Sequence, residues 1–388
     1  MSLIKDFIKS LPEGKDCDIK AIINGDKDVM LYKNLVIGID DQLDIKEVPE
    51  DASVEIIDAS FGKITLGLFD THIHGGYGCY FNDFNEEEIT NFLLKLPKHG
   101  VTSILATIMT ASDEEIKKAI AKIKAVNFSL PKGACKIEGI HLEGPYLAKK
   151  FAGVHPLEHL KMPSVDHYKT IEDDFIKVIT LAPELDKNRE LINYLKKKGV
   201  KVSAGHSEAN PEAMEGIFQV THLFNAMLPI NHRVPSLTSD ALFRDDVVVE
   251  VIGDGIHLDK ETLKLVFKIK KNNNLMLISD ALPLTGMGDA SVPFAGQLIY
   301  IRNQRALTSS GTIAGSISFL DKVGKALIKE GLLDFETFIE FASTNPIMNY
   351  ELPYKLEIGK KADIVIWRFD KPYMAIVDGQ LIKREAVV

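Results

Sequence analysis

The chain has little cysteine, no long apolar run and a deficit of positive charge. Its three cysteines, Cys17, Cys79 and Cys135, are odd in number and far apart. They do not suit a disulfide framework or a zinc ribbon and are read as reduced thiols. Lys, Asp or Gly interrupts every candidate span before it reaches the roughly 20 apolar residues needed to cross a bilayer, so no membrane partner is expected. The opening residues Met1 to Asp6 lack a basic stretch followed by an apolar one. No secretory signal is read there, and a cytoplasmic location is the expectation. Lys and Arg number 46 against 55 Asp and Glu, a net charge of −9. That balance argues against a nucleic-acid partner, which a basic face would serve. It leaves room for a small anionic substrate held by one or two local cations. No G-x-G-x-x-G follows the first apolar strand, which disfavours a doubly wound dinucleotide fold. Internal repeats and low-complexity segments are also missing.

What remains is an ordinary globular composition, 45% hydrophobic and 26% charged in 388 residues, suited to one large domain and a small one. The first sixty residues read as short strands and turns, with Asn24-Gly25 as a hairpin signal. The last thirty behave alike, with the turn Asp378-Gly379. Residues 1–63 and 355–388 are therefore expected to form one small β-sandwich domain. Between them, 64–354 alternates apolar strands with amphipathic helices. Strands are expected at 65–69, 102–107, 136–142, 176–181, 201–204, 219–223, 247–252 and 275–278, and helices at 87–96, 113–126, 188–198 and 260–271. Eight such units predict an α/β fold, a (β/α)8 TIM-type barrel.

The unusual residues fall just after these strands, where barrel enzymes keep their active sites. After the first comes Asp70-Thr71-His72-Ile73-His74-Gly75-Gly76; on an extended chain His72 and His74 point the same way. After the third comes His141-Leu142-Glu143-Gly144-Pro145, where an unpaired carboxylate is costly and a metal is its natural partner. His206 follows the fifth strand and His222 the sixth. One strand-end histidine is ordinarily structural; four with one acid form a set of imidazole and carboxylate ligands suited to zinc, iron or a similar divalent ion. After the seventh strand comes Gly253-Asp254-Gly255-Ile256-His257. After the eighth, Asp280 is placed either for proton transfer or as a helix N-cap.

Taken in order, D-x-H-x-H-G-G, H-L-E-G-P, G-H-S, T-H-L-F-N-A-M, D-G-I-H and S-D-A resemble the amidohydrolase superfamily, and within it the N-acetylglucosamine-6-phosphate deacetylase family. The likeness spans nearly the whole chain and includes Gly359-Lys360-Lys361-Ala362-Asp363, which resembles the superfamily's G-K-x-A-D. The resemblance implies Glu143, His206 and His222 as the main metal ligands and His72 and His74 as a second metal position, hence one or two divalent ions per subunit. It implies Asp280 as the acid/base, with Val154 and His155 at the acetamido end of the substrate. Asn225, Ala226, Arg233, Asp254, Gly255, Ile256, His257, Ile313, Ala314 and Gly315 would hold the sugar and phosphate. Arg233 would reach a partner's site, which makes a homodimer the expectation. The implied reaction is hydrolysis of an N-acetylhexosamine phosphate to the free amine and acetate.

Three departures stand out. Arg233-Val234-Pro235 continues Ser236-Leu237-Thr238 where the family commonly has Gly, His155 is followed directly by Pro156, and residues 65–69 lack the common proline. The first two bear on which sugar is preferred, so an N-acetylgalactosamine 6-phosphate deacetylase is the alternative. Others are an amidohydrolase acting on a different N-acyl substrate and a non-catalytic scaffold. No metal-bridging lysine follows a barrel strand, which disfavours the cyclic-amide branch, and the complete set of ligand and acid positions disfavours the scaffold.

Overall fold

The computed structural model describes residues 3–14, 18–44, 48–49, 51–60, 62–270 and 274–383; Cys17 lies outside them. Eight parallel strands make the central sheet: β1 (Leu68–Ile73), β2 (Val101–Met109), β3 (Lys136–Glu143), β4 (Ile176–Leu181), β5 (Lys201–Ala204), β6 (Gln219–Val220), β7 (Val248–Ile252) and β8 (Leu275–Ile278). Each pairs with its neighbours in sequence order. The sheet closes beyond β8, where Asp280 N–H donates to His72 O (2.9 Å) and His74 N–H to Ala281 O (2.9 Å). The Asp70 carboxylate adds a side-chain tie across the same seam, accepting from Ser279 N–H at 3.1 Å. All nine residues of β2 are buried, as expected when helices cover the outer face of a parallel sheet.

The covering helices carry clear start signals. Asn85 and Ser112 form capping boxes with Glu88 and Glu115 at the heads of helices Glu86–Lys95 and Asp113–Phe128. In the second, Ile116, Ala119, Ile120 and Ile123 recur at helical spacing and are buried.

The chain ends supply a β-sandwich. A five-stranded sheet holds Ile19–Ile23, Val29–Tyr32, Leu35–Ile39, Gln42–Leu43 and Val54–Asp58; a four-stranded one holds Gly62–Leu66, Ile364–Arg368, Lys371–Val377 and Gln380–Lys383. Strand alternation explains how the second sheet serves two cores. Ile364 and Ile366 face the sandwich interior with Ile22 and Val29. Val365 and Trp367 face the barrel's main core, where the Trp367 ring meets Phe335 and Phe338.

Four local expectations change. Residues 65–69 are not one strand: Gly62–Leu66 belongs to the sandwich and Leu68–Ile73 to the barrel. Gly67 sits at the break, where an added Cβ would run into the Thr102 side chain. The sixth strand stops at Val220, leaving His222 in a turn rather than in 219–223. Asn24-Gly25 opens a five-residue connection between antiparallel strands instead of a two-residue turn. Finally, after β8 comes an antiparallel sheet that periodicity does not announce: Ser291–Phe294, Gln297–Arg302, Arg305–Thr308 and Ile313–Gly315. Its first two hairpins turn on Ala295-Gly296 and Asn303-Gln304, all at positive φ, without the Asn-Gly or Asp-Gly that marks such turns in a sequence.

Candidate active site

The strand ends converge on Glu143, the last residue of β3. Its Oε1 lies 3.2 Å from His206 Nε2 and 3.1 Å from His222 Nε2, and those two nitrogens are 3.1 Å apart. On the other side His72 Nε2 and His74 Nε2 approach each other to 3.3 Å and lie 3.6 and 3.5 Å from the Glu143 carboxylate. Asp280 Oδ1 is 3.1 Å from His74 Nε2 and 3.6 Å from His72 Nε2. His155 Nε2 is 3.4 Å from Glu143 Oε2. All seven side chains are buried.

The backbone is bent to achieve this. His206, His222, Phe224, Ala226 and Asp280 all have positive φ, which costs L-residues about 1–2 kcal/mol each. Such strain concentrates where function requires side chains to be aimed.

Charge explains why the cluster suits a cation. Burial works against ionising Glu143, yet positive charge on His72 and hydrogen bonds from His155, His206 and His222 hold it well below the usual carboxylate range. Asp280 is likewise lowered against burial, chiefly by the hydrogen bond from His74 and the charge on His72. His72 is raised well above the usual imidazole value despite burial, because Glu143, Glu250 and Asp280 surround it. Positive charge is therefore favoured where these Nε2 atoms meet. Among the described residues, nitrogen and oxygen donors within 4.8 Å of one another form three groups: Glu143-His206-His222 and His72-His74-Glu143, which share Glu143, and His72-His141-Glu250, which shares His72. This donor set fits a divalent metal. His155 differs: burial pushes it down to about 4, so it is neutral at pH 7.

A cavity of about 330 Å³ opens over the cluster. Of the residues assigned from the sequence, His74, Glu143, His206, His222, Asp280, Val154, His155, Asn225, Ala226, His257, Ile313, Ala314 and Gly315 line it. His72 sits behind His74. Asp254 does not line the cavity but grips His257, with Oδ2 on Nδ1 at 2.8 Å and Oδ1 accepting the N–H groups of Ile256 and His257. Burial opposes charge on His257, but the Asp254 pair raises its pKa. Gly255 and Ile256 form the turn between the two. Arg233 is exposed and outside the cavity of its own chain.

Several contributors escape a reading based on strand ends. Thr110 holds His155 Nδ1 at 2.9 Å. Phe151 supplies the carbonyl that accepts from His206 Nδ1 at 2.7 Å. Lys150 also lines the cavity. His141 lies within a motif already quoted, and its imidazole is buried against Thr71 O and Thr180 Oγ1. Glu250 is wholly buried; a lone acid in the apolar run 247–252 was its available signal.

Comparison with known proteins agrees with this geometry. The amidohydrolase family model matches residues 64–382. The N-acetylglucosamine-6-phosphate deacetylase of Bacillus subtilis (strain 168) is 34% identical over 354 residues, 87% of this chain and 89% of that protein. The crystal structure of the deacetylase of the same name from Pasteurella multocida superposes with a TM-score of 0.83 at 27% identity, covering 94% of this chain and all of the other. That from Thermotoga maritima gives 0.81 at 28%, covering 94% and 98%. The chain belongs to the amidohydrolase family, among its N-acetylglucosamine-6-phosphate deacetylases.

Proposed function

We propose that this chain hydrolyses the acetamide of N-acetylglucosamine 6-phosphate, giving glucosamine 6-phosphate and acetate. The observation that carries the reading is the meeting of Glu143, His206, His222, His72, His74 and Asp280 at the floor of a cavity whose walls include Asn225, Ala226, His257 and Ile313–Gly315.

Glu143, His206 and His222 would hold one divalent ion, and His72 and His74, with Glu143 shared between the groups, a second; zinc or iron suits these donors. Once bound, such an ion would acidify a water and polarise the acetamide carbonyl. Asp280 is ionised and within reach of the same point, so it takes the proton from the attacking water and delivers it to the departing nitrogen. In the tautomer whose Nδ1 accepts from the Thr110 hydroxyl, neutral His155 carries its proton on Nε2 and donates it to the developing oxyanion. Val154 packs beside it at the acetyl end. Asn225, Ala226 and the segment Ile313–Gly315 orient the sugar, and His257, whose pKa the Asp254 pair raises, lies where it can hydrogen-bond the phosphate. Arg233 is exposed and does not line its own chain's cavity, which supports a phosphate contact made from a second copy in a homodimer. Among the described residues no helix is long and apolar enough to cross a membrane, and a cytoplasmic enzyme is in keeping with the reduced thiols.

The test is acetate release from phosphorylated and unphosphorylated N-acetylglucosamine, N-acetylgalactosamine and N-acetylmannosamine, run with metal analysis. Preference for N-acetylglucosamine 6-phosphate is expected. Preference for the galacto sugar would change the substrate but not the reaction, and indifference to the phosphate would remove the assignment.

A further inference from the structure

Glu250 has no part in the reaction as described, yet it is a wholly buried carboxylate at the centre of the barrel. It lies on β7, where Val249 and Val251 turn outward into the main apolar core and Glu250 alternates to the barrel interior. Its two oxygens do different things. Oε1 accepts from Thr71 Oγ1 (3.2 Å) and Gln219 Nε2 (2.9 Å). Gln219 Oε1 in turn accepts from the Tyr350 hydroxyl at 2.9 Å. Oε2 meets His72 Nδ1 at 3.2 Å, and among the described residues it has no other partner. Burying an acid this deeply is costly unless it is hydrogen-bonded and paired. Here Thr71, Gln219 and Tyr350 fix one side so that the other presents itself to a single ring nitrogen.

We infer that Glu250 is a positioning residue for His72: it fixes the proton on Nδ1 and turns the Nε2 lone pair toward Glu143, His74 and Asp280. The four imidazoles proposed as ligands are not treated alike. His206 has the Phe151 carbonyl on Nδ1, whereas among the described residues Nδ1 of His74 and of His222 has no hydrogen-bond partner. Only His72 receives a carboxylate. A carboxylate behind a histidine increases the basicity of the ligating nitrogen and holds the ring in place. Glu250 therefore strengthens the His72-His74 position selectively. The inference rests on His72 being a ligand.

The test is zinc binding by the full chain, titrated in competition with a chromophoric chelator, for wild type and the variants His72→Ala, Glu250→Ala and Glu250→Gln. Wild type is expected to take up two ions, with His72→Ala losing the weaker. Glu250→Ala should weaken that same ion about 10- to 100-fold, the usual effect of removing such a partner, and leave the other within about twofold. Glu250→Gln retains a neutral hydrogen bond, with the Gln219 amide turned over, and should lose about three- to tenfold. If Glu250→Ala does not fold, as judged by circular dichroism, the Gln variant decides. Unchanged affinities, or equal weakening of both ions, where His72→Ala loses one, overturn the role of Glu250 alone. A wild type whose zinc binding is indifferent to His72→Ala overturns the ligand reading of His72 and this inference with it.

Discussion

Replacing Asp280 with Asn separates proton transfer from everything else the side chain does. Asp280 has φ 48°, a left-handed conformation that Asn tolerates better than any other residue with a side chain of similar size. The amide is isosteric, so no cavity opens around this buried residue, and Asn Oδ1 can still accept from His74 Nε2, 3.1 Å away. What is lost is the negative charge and the capacity to take a proton. In the native protein that carboxylate is held ionised, against burial, by His74 and His72, so the base is ready at neutral pH. Loss of a general acid–base contributes roughly two to four orders of magnitude to turnover, or about 3–5 kcal/mol in the barrier. The assay is the rate of acetate release at saturating N-acetylglucosamine 6-phosphate, with metal content measured on the same preparation. A decrease of that size with metal retained is expected. Because Asp280 Oδ1 also lies 3.6 Å from His72 Nε2, loss of metal in the variant would instead make it chiefly a ligand. Near-normal turnover would refute the assignment of the base.

Arg233→Ala should lower kcat/KM for the 6-phosphorylated sugar by roughly ten- to a hundredfold, the value of about 1.5–3 kcal/mol for a hydrogen bond to a charged group, while any slow reaction with the unphosphorylated sugar is nearly unchanged; equal losses on both would make Arg233 structural. Gly144 has φ 86°, and an added Cβ would strike Thr110 Oγ1, the group that holds His155. Gly144→Ala should therefore cost about 2 kcal/mol or more in urea unfolding and lower acetate release as well, and a wild-type midpoint would contradict the geometry. His141 is pushed down to about 4, first by burial and then by His72, so the unfolded chain binds a proton below about pH 6.5 that the folded chain refuses until about 4. Its contribution to stability is complete above pH 6.5 and is lost as pH falls toward 4, by up to roughly 3 kcal/mol. In metal-free protein, His141→Gln should flatten the dependence of stability on pH between 6.5 and 4 relative to wild type; identical slopes would rule this out.

The sequence by itself determined the architecture and most of the cluster's members, because both leave local marks. An apolar run ending in His or Glu before Gly, as at His74 and Glu143, is recognisable wherever it falls, and eight apolar strands mostly alternating with helical segments specify a closed parallel sheet. The continuous apolar run 364–367 likewise marks a strand with two buried faces. Other features depend on atoms distant in the chain, which periodicity cannot report. The first strand splits at Gly67, where the Thr102 side chain leaves no room for a Cβ. The four-stranded sheet after β8 turns on ordinary residues held left-handed by their neighbours. Glu250 looks like an error in an apolar strand until closure of the barrel brings it against His72, 178 positions away. The distances among Glu143, His206, His222, His72, His74 and Asp280 were also decided only in three dimensions, since they depend on strained turns at five non-glycine residues. Local chemistry chose which side chains are present; closing the sheet, by joining β8 to β1, decided which of them share a charge.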